Sequence, residues 1–274
     1  RRCRMVAQAV TGTPGHINSL AIGAANMLAE FPAETLVPGD VLVTNDPYKT
    51  AGQLLDVTVL VPVWRARAGS EVSELIAFFG STIHHTDVGG YGIGAGGRDC
   101  FEEGLWIPIC KLMKAGERNE DVWRFILSNV RQPDHMAGDL HAQMASGEVG
   151  SQRLAVLCDS HGLDDIEDLA DEIIGRSEEA TRASIRELTS GSYPASAVLD
   201  LADGSRIDIV CDIQVDADAG EITVDYTGTS GASPWGINVV RNYTHAYTTI
   251  TVRSVLSPEI PNNHGSLAPI GMVA

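Results

Sequence analysis

Apolar residues at Ile17, Leu20, Ala21, Ala24, Ala25 and Leu28 recur every three or four positions, which predicts a helix over residues 17–30. Asn18 or Ser19 stands near its start. Pro38-Gly39-Asp40 then reads as a turn, and residues 41–43 as a short strand that hands Asn45-Asp46-Pro47-Tyr48 to a loop. Two strand-like runs follow, over residues 57–65 and 75–83. Six glycines in residues 89–97 exclude a stable helix or a central strand and predict a tightly bending loop. Residues 119–127 read as a helix, residues 136–169 as helical in patches, and residues 163–188 as the clearest helix, with an apolar stripe through Leu163, Ile166, Leu169, Ile173 and Ile174. Gly175 is a candidate break in it.

From Ser192 the period changes to two. Ile207, Ile209, Cys211, Ile213 and Val215 alternate with mostly polar neighbours, Val210 being the exception. Asp203-Gly204 and residues 216–220 are turn signals on either side, residues 221–227 return as a strand, and residues 239–255 read as a further helix. The pattern predicts an α+β protein with mixed or antiparallel sheets and packed helices, not a doubly wound parallel sheet. A boundary near Gly191 divides a loop-rich first part, residues 1–190, from a hairpin-rich second part, residues 191–274. The chain starts at Arg1 rather than Met and ends at Ala274 without a visible stop, so it reads as a fragment of a larger chain.

Composition narrows the function classes. With 44% hydrophobic residues the 274-residue chain can bury a sizeable core. Its formal charge of −17 repels nucleic-acid phosphates and anionic lipid but not metal cations. No signal peptide or membrane span is visible, and five scattered cysteines without a CxxC fit a reduced, cytoplasmic protein with mostly buried thiols. Tyr91-Gly-Ile-Gly-Ala-Gly-Gly97 has the glycines of a phosphate loop but no following Lys-Ser/Thr, so direct ATP binding by this chain is not expected.

The candidate chemistry lies in Asn45-Asp46-Pro47-Tyr48, in Gln53-Leu-Leu-Asp56, and in His84-His85-Thr86-Asp87-Val-Gly-Gly. Carboxylate oxygen and imidazole nitrogen are ordinary ligands of Zn, Mn and Fe ions. Asp56 opens one predicted strand and His84 closes the next, so the two meet if the strands pair in register. The alternative is a hydrogen-bonded core histidine with Asp87 closing a turn. Asp46 reads equally as an Asx turn or as a group that orients a ligand. His16 at the helix start reads as a cap or surface group in preference to one that hydrogen-bonds into the cleft, and Arg131 as a salt-bridge partner or a carboxylate clamp.

These segments, together with Glu103-Gly104, Asn129-Val-Arg131-x-Pro133, Gly138-Asp-Leu140, Asp225-Tyr-Thr-Gly-Thr229 and Pro261-x-Asn263-x-Gly265, occur in an order that resembles the hydantoinase B family. That family includes the matching half of 5-oxoprolinases and a subunit of acetone and acetophenone carboxylases. The resemblance implies a longer chain that acts in a hetero-oligomer with a hydantoinase A-type subunit, which binds ATP and Mg. The implied activity is ATP-dependent hydrolysis of a small cyclic amide or imide. ATP-dependent carboxylation of a ketone, or a non-catalytic scaffold role, are the alternatives.

The resemblance also implies a divalent metal (Zn, Mn or Fe) held by a His-x-x-Asp pair, a histidine of the His-His-x-Asp segment and an acidic residue upstream of this sequence. Carried over, these are Asp56 and His84, with Gln53 standing where the family pattern has histidine. Asp46, His85 and Asp87 are then the candidate catalytic or supporting groups.

Overall fold

A computed structural model of the chain describes residues 3–9, 13–66, 73–92, 96–201 and 203–274. In chain order the elements are α1 (Pro14–Glu30), a 3-10 turn (Ala33–Thr35), β1 (Val41–Thr44), β2 (Asp56–Ala66), β3 (Ser73–His84), α2 (Cys100–Glu103), β4 (Cys110–Lys114), β5 (Glu117–Arg118), α3 (Glu120–Ser128), α4 (Pro133–His161), α5 (Glu167–Arg186), β6 (Gly191–Asp200), β7 (Arg206–Asp216), β8 (Glu221–Asp225), α6 (Arg241–Leu256), α7 (His264–Leu267) and β9 (Ile270–Val273). The α+β class expected from the sequence is the class observed.

Contacts divide the chain into two compact units. One is mainly Gly15–Glu167 with Pro234–Tyr243, and the other mainly Asp168–Ser233 with Arg4–Pro14 and Thr244–Ala274. The contiguous break thus falls at the start of α5 rather than near Gly191, because α5 packs with the sheet that follows it.

The first unit holds a five-stranded antiparallel sheet of order β3-β2-β1-β4-β5. Both faces are covered, which explains why β2 reads as a nearly continuous apolar run. Strand alternation sorts its residues. Val43, Val57 and Val59 join Trp123 and Ile126 of α3 and Leu140 of α4 in one buried cluster. Leu42 and Leu60 join Ala24 and Met27 of α1 in another. On this second face Gly80 pairs with Leu60, and a Cβ at Gly80 would lie 2.7 Å from a methyl carbon of Leu20. The missing side chain is what lets α1 lie close against β3.

Up to His161 the stretch expected to be helical only in patches is one continuous 29-residue helix, α4, opened by Pro133 in its first turn; α5 takes over from Glu167. In the glycine-rich run, residues 93–95, including Gly94, lie outside the described residues. Gly90 has φ +55°, and a Cβ there would lie 2.5 Å from the backbone of Glu102 and Glu103. The loop is therefore pressed onto α2, as its composition predicts.

The second unit holds a mixed sheet of order β6-β7-β8-β9, antiparallel except for the parallel pair β8/β9. Ile185 of α5 packs on Val215, Ile222 and Val224, with Val252 and Leu256 of α6 against them. Gly175 does not interrupt α5. The late Asn262-Asn263 segment has a structural role: the Asn263 side chain caps α7 and donates to Ser177 Oγ at 2.7 Å.

Candidate metal centre

The same alternation that sorts the core places the polar groups. Asp56 shares the α1 face with Leu60, since both are even-numbered positions of β2. The β2/β3 register pairs Asp56 with His84, so His84 projects to that face as well. Asp56 Oδ1 accepts a hydrogen bond from His84 Nδ1 at 2.7 Å. Residue three of α1, His16, brings its Nε2 to 3.1 Å from the same oxygen. Among the described residues these three form a group whose ligand atoms all lie within 4.8 Å of one another.

Asp56 is fully buried, and among the described residues its Oδ2 has no hydrogen-bond partner. An unpaired carboxylate oxygen in a buried site is costly unless something fills it. The His16 side chain is nearly enclosed at 13% exposure and that of His84 is 35% exposed, so the cluster is open on the His84 side. If an ion takes the place of the proton between Asp56 and each ring, His84 Nδ1 and His16 Nε2 offer one lone pair apiece next to the Asp56 carboxylate. Two imidazoles, one carboxylate and an open side suit Zn, Mn or Fe.

His85 does not join this cluster. Its side chain points to the α4 face, as its neighbour Val57 does across the strand end, and is 1% exposed. His85 Nε2 is 3.3 Å from Gln143 Oε1, and its Nδ1 is 3.7 Å from Asp139 Oδ2. Burial lowers the His85 pKa against the opposing effect of Gln143 and Asp139, which keeps the ring neutral. Gln143 also donates to the carbonyls of Val57 (2.9 Å) and Ser81 (3.1 Å), tying α4 to the two strands just inside the cluster.

Asp87 also faces away from the cluster. It accepts from the backbone N–H of Gly89 (2.9 Å), Arg131 and Gln132 (3.1 Å), and from Arg131 Nη1 at 3.0 Å. Burial pushes its carboxyl up, but these donors more than offset that and hold it below the usual carboxylate range. Arg131 is thus the clamp that fixes the segment after His85 to the start of α4.

Asp46 forms the Asx turn, its Oδ1 accepting from Tyr48 N–H at 3.0 Å. Asn45 beside it is fully buried. It donates to Leu54 O (2.6 Å) and Leu105 O (2.9 Å) and accepts from Ile107 N–H (2.7 Å), so it anchors the turn leading into Asp56. Gln53 lies half-buried in that turn, and its backbone carbonyl accepts the Asp56 N–H at 3.1 Å.

The sequence reading of His16 as a cap or surface group is corrected by its position against Asp56. A signal was present: His16 falls one turn before Leu20 on the apolar side of its helix. Of the five cysteines, all free, only Cys158 is fully buried, so the thiols are less enclosed than the sequence suggested. Burial pushes the Cys110 thiol up to about 11, which removes it as a thiolate nucleophile. No helix among the described residues is long and apolar enough to cross a membrane.

By fold and site this is an α+β protein with a candidate cation centre at the ends of two paired strands. The chain belongs to the Hydantoinase B/oxoprolinase family, whose model matches it over residues 1–274. It is similar to the B-type polypeptide of a putative D-/L-hydantoinase from Pseudomonas sp., 31% identical over 277 residues that cover 95% of this chain and 45% of the relative. The crystal structure of the ATP-dependent caprolactamase from Pseudomonas jessenii superposes with a TM-score of 0.87 at 26% identity, over 99% of this chain and 46% of that one. Acetone carboxylase in its nucleotide-free form shares the fold, with a TM-score of 0.81 at 17% identity over 98% of this chain and 37% of its own. The chain therefore spans less than half the length of the proteins it matches here.

Proposed function

We propose that this chain is the metal-holding part of a B-type subunit in an ATP-dependent cyclic amidohydrolase of the hydantoinase/5-oxoprolinase kind. The observation that carries this reading is the buried Asp56 carboxylate, whose Oδ1 meets the His16 and His84 ring nitrogens while its Oδ2 has no partner among the described residues. Asp56, His84 and His16 would hold a divalent ion, with Gln53 in the adjoining turn. His16 thereby supplies the second imidazole that Gln53 does not. Such an ion, when bound, polarises a carbonyl oxygen.

The other residues orient this set. Asn45 and the Asp87–Arg131 clamp hold the loops on either side, and neutral His85 with Gln143 fixes the inner ends of the strands. The activities for which the relatives are named support ring opening of a cyclic amide. The Pseudomonas hydantoinase relative is one subunit of its enzyme, which supports a separate partner. ATP and Mg would belong to that A-type partner.

The test is reconstitution with an A-type subunit, followed by ATP-dependent turnover of hydantoin, 5-oxoproline and caprolactam. Hydrolysis lost on Asp56→Ala supports the proposal. Carboxylation of a ketone instead would move the protein to the carboxylase branch. A folded complex with neither metal nor turnover would make the chain a scaffold.

A further inference from the structure

One face of the second sheet extends beyond the helices that cover it. Alternate residues of β7 share a face, and the register sets Tyr193, Ala195, Ala197 and Leu199 of β6 opposite Ile213, Cys211, Ile209 and Ile207. Close to β8 this face is closed by α5 and α6. Outward the cover thins: Val215 is 9% exposed, Ile209 41% and Leu199 46%. Strand β6 is exposed along its whole length. The polar residues of β7 (Asp208, Asp212 and Gln214) lie on the opposite face. An antiparallel sheet of this pattern ordinarily packs its apolar face against another layer.

We propose that the outer β6–β7 face is the seat of the remaining part of the B-type subunit chain, a layer presenting its own apolar stripe. More than half of the Pseudomonas hydantoinase relative lies beyond the region matched here, which supplies ample chain to form that layer. A second copy of this chain is the weaker occupant, since each copy carries a formal charge of −17. The inference rests on family membership and is independent of the metal centre.

Ala197→Cys puts a reporter thiol at the centre of the face. Its maleimide labelling, read peptide by peptide by mass spectrometry, is compared in three samples: the 274-residue chain, the full-length subunit chain that contains it, and the 274-residue chain mixed with the A-type subunit. The expected result is labelling at least about tenfold slower in the full-length chain only. Equal rates in all three overturn the proposal. So does protection that grows with the concentration of the 274-residue chain, which means a second copy, or protection seen only with the A-type subunit. Hydrogen exchange over residues 191–200 of the unmodified chains gives the same comparison without a substitution: slowing confined to the full-length chain supports the proposal, and any other pattern refutes it.

Discussion

Asp56 and His84 stand directly opposite each other at the end of a two-strand ladder, with Oδ1 and Nδ1 2.7 Å apart. Register alone brings them together, so the pair is as rigid as the sheet beneath it. The third member, His16, comes from a helix held to the same face by packing, and that division of labour can be tested residue by residue.

Replacing His16 with alanine removes one of two imidazoles from the cluster without touching the sheet. Divalent-metal affinity should fall by more than the ~10–100-fold typical of losing a group behind the ligands. Isothermal titration with Zn or Mn measures it, and an unchanged affinity would remove His16 from the ligand set.

Gln53→His should raise metal affinity, because imidazole is a stronger donor to these ions than an amide oxygen. The same titration reads it. No gain would place Gln53 outside the ligand sphere, leaving its backbone carbonyl as its only role in the turn.

Gly80→Val should damage fold and site together. The added side chain would overlap Leu20 and lift α1 from β3. Overpacking of this kind costs about 1–3 kcal/mol, seen as a lower Tm, and metal affinity should fall with it although no ligand has changed.

Asp87→Asn should flatten the acid limb of the stability profile. The carboxyl is held below its ordinary value of 3.8 in the folded chain. Its ionised form therefore stabilises the fold above that value, and this contribution is lost as pH falls through the folded-state pKa. Wild type should lose stability below about pH 4 faster than the variant, while at pH 7 the variant should be less stable by about 1–3 kcal/mol through weakened hydrogen bonds. Denaturant melts between pH 2.5 and 7 check both arms.

How much of this is legible in the sequence follows from the kind of information each part needs. Strands β2 and β3 and the approach of Asp56 to His84 are readable from apolar runs ending in polar residues. The parity that sends His85 away from His84 is also in the sequence, but its meaning depends on which helix covers which face. His16 is hard to read for the same reason: periodicity predicts a helix without saying what lies beneath its first turn. Strand β9 escapes a sequence reading, because four residues at the end of a chain carry no period, and their parallel pairing with β8 is a long-range contact. The start of α5 blurs into the preceding helix, since only a short turn separates the two.

The most direct measurement is the metal content of the purified chain by inductively coupled plasma mass spectrometry, taken beside Asp56→Ala and His84→Ala. About one divalent ion per chain is expected in the parent protein and none in either variant, with all three folded. A folded parent that takes up no Zn, Mn or Fe when these are supplied, or metal retained in both variants, would contradict the assignment of the metal centre.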